Sequence, residues 1–177
     1  MPIRSRRIGR EGRFKSQALL DEKALSACLA YVDLNPIRAK MSKSPEQSDY
    51  TSAKKRIESA ESGDDPVTPC QPEHLLPFVG YPRQDMPAGL PFRLQDYLEL
   101  LDWTGRQLRR GKRGAMDGSL PPILERLNIE PEKWLYTATH FESSFKSLVG
   151  SVQSLINTCQ KLGYQRTPGR SAGYLLT

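Results

Sequence analysis

The chain has 177 residues, 37% of them hydrophobic, which suffices for one modest core or two small ones. Lys and Arg outnumber Asp and Glu by 26 to 20, a formal net charge of +6; this favours a polyanionic partner, but charge alone is equally compatible with many mildly basic soluble proteins. No apolar run approaches the roughly 20 residues that span a bilayer, no apolar stretch follows the basic first residues as a secretory signal requires, and Cys28, Cys70 and Cys159 form no CxxC pair of a zinc ribbon.

Residues 13–20, RFKSQALL, lack helical periodicity and end in a short apolar run, so they are expected to form a strand. No second strand is evident, and this one is expected to be unpaired, paired locally or engaged between chains. Asp21 is a good N-cap for a helix over 22–34 with an apolar stripe of Leu25, Cys28, Leu29 and Val32. Asn35-Pro36 ends it and opens a short turn over 36–41, with Asn35 as cap. Asp49 is expected to cap a further helix over 50–61. Half of the 14 prolines fall between Pro66 and Pro91, so residues 62–91 read as a linker anchored by Leu75, Leu76, Phe78 and Tyr81.

Helical spacing resumes over 92–110 with Leu94, Tyr97, Leu98, Leu101 and Leu108. Pro121-Pro122 opens a helix to Leu127, Pro131 opens another to about residue 145, and Ser151 caps a last one that Gly163 ends. Residues 164–177 read as a flexible tail. The expected architecture is mainly α with one β-strand. Its organisation is residues 1–61, a linker over 62–91, a helical part over 92–163, and the tail. Cys28 and Cys159 lie on apolar helical faces as small core residues, and three widely spaced cysteines fit a reducing cytoplasm.

Basic residues cluster at Arg4, Arg6, Arg7, Arg10, Arg13 and Lys15, at Arg106, Arg109, Arg110, Lys112 and Arg113, and at Lys161, Arg166 and Arg170. Such clusters can neutralise phosphates and release counterions. No GxxxxGK[ST], HExxH or GxSxG motif is present. Asp96, Glu99 and Asp102 read as a solvated helix face, and Trp103 and Trp134 as core or interface anchors.

The segment GRFKSQALLDEKALSACLAYVDLNPIRA, residues 12–39, carries the chemistry. Tyr31 lies off the apolar stripe, and Asn35 is one turn further on the same face. Ala24 and Ala27 lie toward that face, where small side chains leave room for a ligand beside the phenol. A phenolate can attack a phosphodiester and become linked to it. Because a phenol titrates near about 10, it needs a polarised phosphate, a role that a divalent cation can fill. The Asn35 carbonyl is a suitable hard ligand. Taken alone, a Tyr and an Asn near a helix end are more often an edge residue and a cap.

RFKSQALLD followed by LAYVDLNPIRA resembles the REP-associated tyrosine transposases, single-tyrosine relatives of the small insertion-sequence transposases. The detailed match covers about residues 12–60. FRLQDYLELLDWTGR and LPPILERL resemble the helical C-terminal extension of long members. The resemblance implies Tyr31 as nucleophile, Asn35 at a Mg²⁺ or Mn²⁺ site, and Arg38 as a structural or phosphate-contacting residue. It also implies single-strand DNA nicking and rejoining at hairpin repeats through a 5′-phosphotyrosine. Arg13, Lys15, Arg38, Arg109, Arg110, Lys112 and Arg113 are the expected DNA contacts.

Complete members carry a His-hydrophobe-His pair ahead of the tyrosine. Here His74 and His140 are the only two histidines, far apart and both after Tyr31. The expectation is therefore a truncated transposase whose strand is left from a lost α+β sheet. The cation would not be held tightly and independent cleavage would be weak or absent. The apolar face that met the missing sheet would be exposed, favouring a second copy or a full-length homologue as partner. A non-catalytic helical DNA-binding module or regulator, and a degenerate remnant without function, stay open as alternatives.

Overall fold

Gln17 donates its side-chain amide to the carbonyls of Phe145 and Lys146, at 3.2 and 2.9 Å. The computed structural model describes residues 16–63, 69–80, 88–110 and 119–177. Beyond Gln17, β1 (Ala18–Leu19) pairs in parallel with β2 (Leu148–Val149), Ala18 opposite Leu148 and Leu19 opposite Val149. The fold is mainly helical with this one short sheet among the described residues. The strand is shorter than the expected 13–20, of which residues 13–15 lie outside the described residues. Its partner is distant in sequence rather than local. Two apolar residues between Ser147 and Gly150 are too short to show alternation, so β2 leaves no sequence signal.

Asp21 caps α1 (Glu22–Asp33) by accepting from the Ala24 amide at 2.9 Å, and its other oxygen accepts from the Ser151 amide at 2.8 Å. One carboxylate thereby joins the start of α1 to that of α7 (Val152–Lys161), which Ser151 itself caps. α2 (Asn35–Arg38) follows directly, but Leu34 occupies its cap position and Asn35 is the first helical residue. Thr51, not Asp49, caps α3 (Ser52–Glu61); Asp49 pairs instead with Lys54. The hydroxyl of Thr51 is in register with the Lys54 amide, three residues on, as the capping geometry demands.

α4 (Leu94–Arg110), α5 (Pro122–Leu127) and α6 (Pro131–Ser144) match the proline and periodicity signals closely. Trp103 and Trp134 are buried, and the Trp134 indole donates to Thr104 at 2.9 Å. A single core cluster draws on α1, α2, α3, α4, α5 and α6 together. Phe78, Leu90 and Phe92, in and beside the proline-rich stretch, are buried in it, whereas Leu76 is exposed. Tyr81 lies outside the described residues.

The sequence stripe of α1 is not its buried face. Ala24, Ala27, Ala30 and Leu34 are wholly buried, while Leu25, Cys28 and Leu29 are half-covered and Val32 is 60% exposed. α1 packs most extensively on α6, and Leu25, Cys28 and Leu29 pack partly against the same core as the alanines. Cys159 is buried; Cys28 is partly so, and burial pushes its thiol pKa up.

The expected flexible tail is instead folded. α8 (Arg170–Gly173) and a 3-10 turn (Tyr174–Leu176) pack back on the body, with Leu176 wholly buried. Gly173 permits this approach: a Cβ there would lie 2.8 Å from Leu155 Cδ1 and 3.2 Å from the Gly150 carbonyl oxygen. No described helix is long and apolar enough to cross a membrane.

Asp33 ends α1 in the core, where burial requires its oxygens to be satisfied. They accept from the Ser52 hydroxyl at 2.8 Å, the Ala53 amide at 3.2 Å and the Tyr97 hydroxyl at 2.7 Å. Burial and this carboxylate raise the Tyr97 pKa well above its ordinary value. Tyr97→Phe is expected to lower stability by about 2 kcal/mol in urea denaturation, the scale of a hydrogen bond to a charged acceptor; an unchanged midpoint would show that this bond contributes nothing.

Candidate nucleic-acid interface

Tyr31 sits on the last turn of α1, half-buried. Its ring lies 5.6 Å from that of Phe141 on α6, centroid to centroid. The Arg38 guanidinium covers the ring, 3.7 Å from its centroid. Room beside the phenol was expected over Ala24 and Ala27. That space is closed, because those alanines are wholly buried. The remaining opening is a shallow depression of about 320 Å³ lined by Tyr31, Thr139, His140, Glu142 and Ser143.

Arg38 links three helices. Its Nη1 donates to the Tyr31 carbonyl and, at 3.3 Å, to the Ala138 carbonyl, while Nη2 donates to Asn35 Oδ1 at 3.1 Å. Partial burial lowers the guanidinium pKa, and the neighbouring Tyr31 opposes that shift. The fork of donors is thus spent partly on structure and partly on a polar edge that reaches a pocket.

That pocket is the clearest electrostatic feature near Tyr31. It has a volume of about 390 Å³ and is lined by Ile37, Arg38, Lys40, Ser42, Lys43, Leu108, Arg109 and Thr139. Four of these side chains are cationic and none is acidic. The end of α2 and the residues after it supply three cations, and the C-terminal end of α4 supplies Arg109. Lys40 adopts φ 59°, a left-handed conformation that a lysine takes at a cost, as the chain turns out of α2. Thr139 lines both this pocket and the Tyr31 depression, so the two adjoin.

The structure therefore brings together Tyr31, Asn35, Arg38 and Arg109 from the sequence-derived set. Arg110 closes α4; Arg13, Lys15, Lys112 and Arg113 lie outside the described residues. Sequence reasoning missed Lys40, Lys43 and His140. The two lysines are scattered singly rather than clustered, and His140 reaches Tyr31 only through the packing of α6 on α1.

A divalent cation is implied by the family resemblance, and the residues present do not fit one at Asn35. Its side-chain oxygen is already engaged by the Arg38 guanidinium, whose charge opposes a second cation there. Asp33, two residues before it, is fully used by Ser52, Ala53 and Tyr97. Among the described residues no group of three or more His, Cys, Asp or Glu side chains converges as metal ligands. His74 is exposed in the proline-rich stretch.

Comparison of the chain with protein-family models, curated proteins and solved structures gives no match.

Proposed function

We propose that this chain binds DNA through the Arg38–Lys40–Lys43–Arg109 pocket beside Tyr31. The observation that carries this reading is the convergence of four cations, with no carboxylate among them, on one concave site. Such a site suits phosphate, which Arg receives in a fork geometry and Lys as a point charge. The preference for single-stranded hairpin DNA comes from the resemblance of residues 12–60 to the REP-associated tyrosine transposases. The same resemblance suggests a second copy or a transposase homologue as protein partner. Three cysteines that are all free fit a reducing cytoplasm.

A second reading is favoured by Tyr31 itself. The phenol borders an open depression next to the phosphate pocket, a placement suited to attack on a bound phosphodiester, in which the Tyr31 oxygen bonds to phosphorus as the bond from phosphorus to the 3′ oxygen breaks and the phenol's proton ends on that departing 3′ oxygen. In this reading Arg38 draws the phosphate toward Tyr31. Incubation with hairpin DNA and Mg²⁺ or Mn²⁺ then gives a covalent adduct with the natural chain and none with Tyr31→Phe. If the natural chain also forms none, the cleavage reading fails and the binding reading stands.

DNA binding is tested by salt dependence. Each phosphate contact on a single strand contributes a log–log slope of about −0.7. Replacing Lys40, Lys43 and Arg109 together by Ala is expected to make the slope shallower by about 2 and to weaken binding across sequences. An unchanged slope and affinity would place the phosphate contacts elsewhere.

A further inference from the structure

The pocket accounts for phosphates but leaves unused an exposed aromatic pair beside it. Tyr136 and His140 stand one turn apart on α6 with rings stacked, 4.5 Å between centroids and 25° between planes. Tyr136 is 50% exposed. His140 Nδ1 lies 3.2 Å from the Tyr136 carbonyl oxygen, which fixes the imidazole against its neighbour. α6 departs from helical geometry at His140, with φ −119° and ψ 22°. His140 also lines the depression that contains Tyr31, and that depression shares Thr139 with the cationic pocket.

The geometry points to a stacking site for an unpaired DNA base on the Tyr136–His140 pair, beside the phosphate pocket. This inference rests on the DNA-binding reading and narrows it to strands with unstacked bases. Aromatic faces hold bases without regard to sequence, and a cationic groove beside them tracks the backbone. The division of charge fits that arrangement. Lys40, Lys43 and Arg109 line the pocket and not the depression, while Arg38, which also lies over the Tyr31 ring, borders both. A nucleotide crossing Thr139 would place its phosphate on Arg38 and Arg109 and its base toward His140 and Tyr136. In a duplex the base faces are covered, so the pair has no partner to stack on.

The test measures fluorescence anisotropy at low salt with a DNA hairpin carrying a single-stranded tail, the same hairpin with abasic sites throughout the tail, and a blunt duplex. The natural chain is expected to bind the intact tail about ten-fold more tightly than the abasic one. Tyr136→Ala abolishes that difference and leaves duplex binding unchanged, while Tyr136→Phe, which keeps the aromatic face, preserves it. The abasic comparison uses the unaltered protein, so it holds even if Tyr136→Ala does not fold. Equal binding of intact and abasic tails by the natural chain overturns the stacking site and leaves the phosphate pocket standing. Failure to bind any of the three DNAs overturns both.

Discussion

The close approach of α1 to α6 is the constraint on which the rest depends. α1 carries three wholly buried alanines, Ala24, Ala27 and Ala30, and packs extensively on α6. That approach sets Tyr31 against Phe141 and brings the Ala138 carbonyl within reach of Arg38. It also places Thr139 and His140 at the edge of the tyrosine. A larger side chain at any of the three would overpack a filled core, at a typical cost of about 1–3 kcal/mol. The sheet and the Asp21 carboxylate hold the beginning of α1 to the chain just before α7 in the same manner. Local segments that look independent in sequence are thus tied into one core.

Arg38 makes structural hydrogen bonds while its charge stays at a pocket wall. Its bonds to the Tyr31 and Ala138 carbonyls tie the end of α2 to α1 and α6. Its charge nevertheless borders the pocket with Lys40, Lys43 and Arg109. The same guanidinium engages Asn35, which turns that amide from a potential metal ligand into a support for an arginine. Positive charge beside Tyr31 is therefore supplied by the chain itself.

Features set by neighbours in sequence were legible. Asp21 and Ser151 cap as the side-chain chemistry demands, Pro122 and Pro131 open helices, and Gly163 sits at φ 71° after α7. Features set by distant neighbours were not. The stripe Leu25–Cys28–Leu29–Val32 is only partly covered while the alanine side is wholly buried, and the sequence does not say which side a partner will choose. Asp49 and Thr51 are both capable caps, and two residues of register decide between them. Leu176 is buried at the end of the chain, and Gly173 just before it lies against Leu155, an approach invisible in a polar, glycine-containing segment. At the site, Tyr31, Asn35 and Arg38 fall in one motif and were found, whereas Lys40, Lys43 and His140 belong to it only in three dimensions.

The central claim is that nucleic acid meets this protein on the surface around Tyr31. Hydrogen exchange of the full chain with and without a tailed DNA hairpin addresses that directly. The account predicts slowed exchange in peptides covering residues 31–43 and 136–143, with α3 and α7 unchanged. Protection confined to α3 or α7, or no protection at DNA concentrations that saturate binding, would contradict it.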